Sequence, residues 1–301
     1  MNRFVAHRSF RVWGLAALAL SVVGCSRASE DPVVANLTAA EKIRTALVGE
    51  AGAEGGDAAA TGTGWATLKG KFTFDGTPPT MPPYAVNKDQ ATCAPGGQAP
   101  LQQFLLVDSG NKGIANVAVF ARKVSRVHEG SGQRTDPALL DQKVCVFLTH
   151  VLGVTTGQPI DIKNSDNVGH NTNISGQNGF NQTIASGAST PFVAKKEESL
   201  PVAVRCSIHP WMLSYMLPRT NAYFAITAPD GSFEIPNLPA GEKLEIQVWH
   251  EHAAGGNGAL FVDTPEGKKL NWSNKGRFIV TLEEDEVRDL PIVVPATAFG
   301  G

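Results

Sequence analysis

The sequence predicts an all-β chain: two β-sandwich modules behind an export segment and a flexible linker. Three observations carry that prediction. Short apolar segments of period two recur about every ten residues, the spacing of sandwiches and barrels. Gly (31) and Pro (19) are plentiful in the 301 residues and fall between those segments, where turns are needed. Helical periodicity is sparse. The formal charge of −2 gives no electrostatic case for a nucleic-acid partner.

The N-terminus has the pattern of a targeting segment. Arg3, His7, Arg8 and Arg11 precede an apolar run from Val12 to Val23, which is too short to span a membrane as a mature helix. The run ends in Val22-Val23-Gly24-Cys25, which resembles the lipobox of bacterial lipoproteins. The resemblance implies a signal peptide over 1–24, lipid on Cys25 and attachment to a membrane in the periplasm or at the cell surface. An ordinary secretory signal with an incidental Cys25 is the alternative, and both export the chain to an oxidising compartment. Residues 25–64 read as a flexible tether. Leu37 to Val48 is the one helical stretch in it, and Gly49 to Gly64 is Gly/Ala/Thr-rich.

From Trp65 the strands follow in order. Thr67 to Phe74 alternates as a half-buried strand, and Asp75-Gly76 ends it. Pro82 to Pro100 reads as a loop containing Cys93. Phe104 to Val107 and Ala115 to Ala121 read as strands, and Arg122 to Leu140 as a polar loop. Lys143 to Thr149, Val151 to Thr156 and Pro159 to Lys163 are β segments, and Asn164 to Gly187 reads as irregular. Strands at Pro191–Val193 and Leu200–Arg205 flank Lys195-Lys196-Glu197-Glu198, read as a solvated hairpin turn. Ser214 to Leu217, Ala222 to Thr227, the Ala228–Ile235 and Lys243–His250 pair, Phe278 to Leu282 and Leu290 to Val294 complete the set.

The chemistry concentrates in Cys206-Ser207-Ile208-His209-Pro210-Trp211-Met212, with His170 upstream in the Asn-rich segment. A strand delivers Cys206 to its end, and Pro210 restricts the turn. A thiolate, two imidazoles and a thioether form the ligand set of a blue-copper site, and zinc also suits thiolate and imidazole. His150, in Phe-Leu-Thr-His-Val-Leu, reads as structural. His250 and His252 read as a strand end rather than a metal pair, and His128 stands alone in a polar loop.

Gly157 to Asn171, through Lys163-Asn164 to His170, resembles the stretch leading to the first histidine ligand of the plastocyanin-like cupredoxins, and Cys206 to Met212 resembles their later ligand loop. The resemblance covers Lys143 to about Leu217 and implies one type 1 copper ion on His170, Cys206 and His209. It also implies an ordering role for Asn171 after the first histidine, beside Pro210 and Trp211, which are expected to limit solvent access. The methionine departs from the pattern: the usual spacing of four residues lands on Ser214, whereas Met212 has two residues between it and His209 and Met216 has six. Met212 is the axial candidate, and Met216 reads as strand packing. A binuclear centre would need a second loop cysteine, which this loop lacks.

Four cysteines are present. With Cys25 assigned to lipid and Cys206 to metal, Cys93 and Cys145 remain as a disulfide. A Cys145–Cys206 pairing is the rival and would remove the thiolate.

Thr227 to Gly241, with its Asp230-Gly231 turn, Phe233 strand and Leu238-Pro239-Ala240-Gly241, is similar to carboxypeptidase-regulatory-like, transthyretin-like sandwiches. Gly70 to Gly76 and Ile114 to Phe120 resemble the opening strands of the same family. The reading is a regulatory-like sandwich over 65–142 and 221–297, split by a cupredoxin-like insertion over 143–220. The order as a whole resembles bacterial lipoproteins of the methylamine-utilisation-like type. The expected function is single-electron transfer with a redox protein partner and no enzymatic activity. The alternatives are copper binding or delivery without redox chemistry, or glycan or surface binding through the C-terminal sandwich.

Overall fold

The first described strand shows why the chain folds as sheets. Residues 62–300 are described in a computed structural model; the segment read as a signal peptide, Cys25, the Leu37–Val48 stretch and nearly all of the segment read as a tether lie outside them. In β1 (Trp65–Asp75) burial alternates residue by residue, with Ala66, Leu68, Phe72 and Phe74 turned inward. That alternation is what one apolar face of a pleated strand requires. Gly70 lies on the same inward row. A side chain there would strike the Leu290 carbonyl and the Phe233 ring, so glycine lets the neighbouring strand approach.

Two sandwiches share the described residues, each with its own core. In the first, β1 lies between β13 (Ser232–Pro239), antiparallel, and β16 (Val287–Pro295), parallel. Its facing sheet runs β12 (Phe224–Ile226), β2 (Ala118–Ala121), β14 (Lys243–Trp249), β15 (Arg277–Thr281). Leu68, Phe72, Ile235, Ile246, Val248 and Phe278 fill the space between them. The turn into β13 needs Gly231, which has φ +83° and whose N–H bonds the Ala228 carbonyl. A short helix, α2 (Pro265–Lys269), capped by Thr264, precedes β15.

The second sandwich is built from residues between β2 and β12. One sheet runs β5 (Val151–Thr155), β11 (Leu213–Arg219), β10 (Val202–Arg205), β7 (His170–Ile174), β8 (Phe180–Ile184). The other runs β4 (Val146–Phe147), β3 (Ala138–Lys143), β6 (Pro159–Asn164), β9 (Ser189–Val193). Leu140, Phe147, Val154, Ile160, Ile162 and Met216 pack between them.

Several elements differ from the sequence reading. Asn164 to Gly187 contains two strands, β7 and β8, at the sheet edge. Phe104 to Val107 is not a strand: Val107 makes one isolated bridge to Ile114, and the run is apolar because Leu105 packs into the first core. The segment read as Lys143 to Thr149 is β3, which begins at Ala138, then a turn at Val144 and Cys145, then β4. Lys195 to Glu198 does not close a hairpin. β9 and β10 belong to different sheets, so the chain crosses between layers there, and Glu198 is buried, accepting from Gln177 N–H at 2.5 Å.

The sandwiches meet over a third apolar cluster containing Phe120, Val151, Leu217, Phe224 and Trp249. Arg219 ties this junction, donating to the carbonyls of Glu198 (2.9 Å), Ala121 (3.0 Å) and Arg122 (3.1 Å) with its guanidinium over the Phe120 ring. His150, buried, pairs with Glu251 across the same junction. A second link comes from the long β1–β2 connection. Its neck is closed by Tyr84 N–H to Pro100 O and Gln102 N–H to Pro82 O, both 2.9 Å. Its tip carries α1 (Gln90–Cys93) and is joined to the second sandwich by the Cys93–Cys145 disulfide.

Candidate metal centre

Strand register brings the candidate ligands together. β7 and β10 are antiparallel neighbours, with Val204 opposite Ile174 and Arg205 opposite Asn173. His170 opens β7 and Cys206 follows β10, so both reach the same end of the sheet. The loop after Cys206 then folds back on itself: Met212 N–H bonds the His209 carbonyl at 2.9 Å and Cys206 N–H the Met212 carbonyl at 3.4 Å. That closure turns the His209 ring toward His170.

The result is a buried group of three donor atoms. His170 Nδ1 lies 3.0 Å from His209 Nδ1, and Cys206 Sγ lies 3.8 Å from His209 Nδ1. Both histidines are 0% exposed and Cys206 is 2%. One ion at the usual metal–nitrogen and metal–sulfur distances of about 2.0–2.3 Å touches atoms separated by such spans, so the three side chains fit a single N2S site. Met212, buried, packs in the same apolar cluster as Cys206, and Met216 faces that core from β11.

Each imidazole is held from its far side by a carboxylate. His170 Nε2 meets Asp166 Oδ2 at 2.8 Å, and His209 Nε2 meets Asp89 Oδ2 at 2.9 Å. Such partners fix the ring orientation and turn each Nδ1 toward the other donors. Asp166 also receives the N–H groups of Val144 (2.7 Å) and Cys145 (2.8 Å), two consecutive residues with φ of +52° and +53°. Asn164 carries this loop. Its side-chain amide donates to the carbonyls of Val168 (2.7 Å), Ile184 and Ala185 (3.1 Å each) and its oxygen accepts Asp166 N–H at 3.0 Å.

The sulfur accepts Asn171 N–H at 3.2 Å and His209 N–H at 3.4 Å. Asn171 Oδ1 takes Ser207 N–H (3.2 Å) and Oγ–H (2.9 Å), and its amide donates to Asn181 at 2.9 Å. Trp211, half-buried, lies 5.1 Å from the His209 ring and donates to the Cys145 carbonyl at 3.1 Å; Pro210 is exposed. Cys93 and Cys145 form the disulfide beside the site, and Cys206 is the free thiol among the described cysteines.

Electrostatics separates the three donors. Burial raises the Cys206 thiol, but His170 and the backbone N–H groups outweigh it and hold the thiol below its ordinary value. Burial disfavours charge on His170, yet Asp166 and Cys206 push it up to about 9. His209 lies below its ordinary value, because burial and the His170 charge together exceed the pull of Asp89. A thiolate-prone sulfur beside imidazoles suits a soft or borderline metal.

Sequence reasoning found His170, Cys206 and His209 but not the two carboxylates. Asp166 stands four residues before His170 and was available as a signal. Asp89 lies 120 residues before His209 and carries no local one.

No family model matches the chain, and no curated protein matches it. Among solved structures it is similar to the Cu-containing nitrite reductase of Thermus scotoductus SA-01, at 17% identity and TM-score 0.26, over 31% of this chain and 24% of that one. The chain thus spans about a quarter of that enzyme. It is similar also to amicyanin from Paracoccus versutus, at 12% identity and TM-score 0.26, over 35% of this chain and 99% of that one. A purple cupredoxin from Nitrosopumilus maritimus aligns at 21% identity and TM-score 0.24, over 27% of this chain and 98% of that one. The similarity is partial and distant, and the chemistry of the site stands on this chain's own side chains.

Proposed function

We propose that this protein holds one copper ion on His170, Cys206 and His209, with Met212 as axial candidate, and passes single electrons to and from a redox protein. We further propose that it works outside the cytoplasm, tethered to a membrane through lipid on Cys25. The observation that carries the copper reading is the buried convergence of two Nδ1 atoms and one sulfur, each imidazole held by a carboxylate. Copper bound there supplies a one-electron couple.

The protein's part is to keep the ligands still. His170 sits on a strand, Cys206 follows one, and Asn171 joins the two ligand loops. Burial excludes water from the donors. Two backbone N–H groups on the sulfur withdraw electron density from it, which tunes the potential. A site whose ligands cannot rearrange suits electron transfer, since little geometry has to change between oxidation states.

The test is to add Cu(II) to the metal-free protein and record its visible and EPR spectra. An intense thiolate-to-copper band that bleaches reversibly on reduction is the expected result. Copper binding without a reversible bleach would favour delivery over electron transfer. A Cys206→Ser protein with an unchanged spectrum would rule out this site. Labelling with a fatty acid, lost in Cys25→Ala, tests the anchor.

A further inference from the structure

Asp89 reaches the metal centre from outside the second sandwich. It lies on the arm between β1 and β2, at the start of α1, with φ +48° and ψ +40°. Left-handed backbone at a non-glycine residue is uncommon and persists where the surroundings fix it. The surroundings here are specific. Thr92 and Cys93 both donate to the Asp89 carbonyl at 2.9 Å. Thr92 Oγ1 bonds Asn167 Oδ1, and Cys93 is joined to Cys145. Val86 packs against the second core. The Cys93 and Cys145 sulfurs and a His209 ring nitrogen all lie within 4.8 Å of one another, so the arm's covalent anchor is next to the histidine that Asp89 touches.

We propose that Asp89 is a positioning residue for the copper site: the arm, anchored by Cys93–Cys145, presses its carboxylate onto His209 Nε2 and thereby aims Nδ1 and biases the bound ion toward its oxidised form. This rests on the copper reading above. A ring that donates through Nδ1 must carry its proton on Nε2, and a carboxylate accepting that proton fixes both tautomer and ring angle. The carboxylate also makes the imidazole a stronger donor. A stronger donor favours the more highly charged Cu(II) over Cu(I). Charge and orientation are separable, because Asn keeps an acceptor oxygen and loses the charge, whereas Ala loses both.

The experiment compares the full chain with its Asp89→Asn, Asp89→Ala and Cys93→Ala/Cys145→Ala variants. Three quantities are measured: the reduction potential, the Cu(II) affinity in competition with a chelator, and solvent exchange of the His209 Nε2–H by NMR in metal-free protein. Asp89→Asn is expected to raise the potential, as a fall of about tenfold in the Cu(II)-to-Cu(I) affinity ratio. Asp89→Ala is expected to lower Cu(II) affinity about 10–100-fold and to speed Nε2–H exchange at least about tenfold. The double-cysteine variant should resemble Asp89→Ala, because the arm is released. Should that variant fail to fold, the Asp89 pair still decides, since its side chain is 33% exposed and outside both cores. A wild-type thiolate–copper band with unmoved potential, affinity and exchange in both Asp89 variants overturns the role of Asp89 alone. Absence of that band in wild type overturns the copper reading, and this proposal with it.

Discussion

Asn171 grips Ser207 twice, its Oδ1 accepting both the Ser207 N–H at 3.2 Å and the Ser207 hydroxyl at 2.9 Å. These bonds join the strand that starts with His170 to the loop that starts with Cys206. The Asn171 N–H meanwhile donates to the Cys206 sulfur, so one residue sets both the spacing of the two loops and the electron density on that sulfur. Asn171→Ala keeps the backbone donor and removes the side-chain bonds. We expect copper affinity to fall about 10–100-fold, as for other groups that orient metal ligands. A chelator competition titration checks this, and Ser207→Ala should show a smaller loss in the same direction.

The Cys93–Cys145 disulfide closes a loop across 52 residues of sequence and joins the arm to the second sandwich. On loop-entropy grounds it contributes about 4 kcal/mol. Cys93→Ala/Cys145→Ala should therefore lower the unfolding free energy by about 2–5 kcal/mol, read from urea titration of metal-free protein. Wild type with a reductant should approach the variant, and the variant with a reductant should not move.

What the sequence made legible follows from how local each signal is. Cys206 and His209 stood out because a strand end and a short loop confine them, and His170 because the stretch through Lys163-Asn164 that leads to it resembles that of the plastocyanin-like cupredoxins. The alternation of β1 and the Asp230-Gly231 turn were equally local. β7 and β8 were not legible. β8 exposes Asn181, Gln182 and Thr183 at the sheet edge, and β7 devotes His170 and Asn171 to the site, so neither shows an apolar period. Glu198 reads as a surface charge, yet tertiary packing buries it: its backbone carbonyl serves Arg219 and its carboxylate serves Gln177. Asp89 was invisible for the same reason, since only the fold brings the arm to His209.

Arg219 is a polar tie between the two sandwiches, 5% exposed and serving three carbonyls. Burial lowers its pKa, with Glu197 at 2.7 Å opposing. Arg219→Met fills much of the same volume but leaves those carbonyls without their donor. We expect a loss of about 1–3 kcal/mol, the range for leaving a buried hydrogen-bonding group unpaired. We also expect the calorimetric transition to broaden or divide as the sandwiches melt less cooperatively. Arg219→Lys should recover only part of the loss, because one ammonium cannot span the same forked set of acceptors.

His250 gives the first sandwich a sensitivity to acid. It is 1% exposed, its Nδ1 accepts His252 N–H at 3.2 Å, and its ring lies 5.3 Å from Phe299. Burial, with His150 and His252 nearby, pulls its pKa down to about 3 from the ordinary 6.5, against a small opposing contribution from the Ala115 backbone. Above pH 6.5 the ring is neutral whether the chain is folded or not, and it costs nothing. Below 6.5 the unfolded chain takes up a proton that the folded one refuses, so stability falls by about 1.4 kcal/mol per pH unit until the folded pKa is reached. His250→Asn retains an acceptor near Nδ1 and cannot titrate in this range. Urea titrations of metal-free protein at pH 7, 6, 5 and 4 should show wild type losing its advantage over the variant step by step below 6.5. A constant difference across that range would mean that His250 takes up its proton as readily in the folded protein as in the unfolded chain.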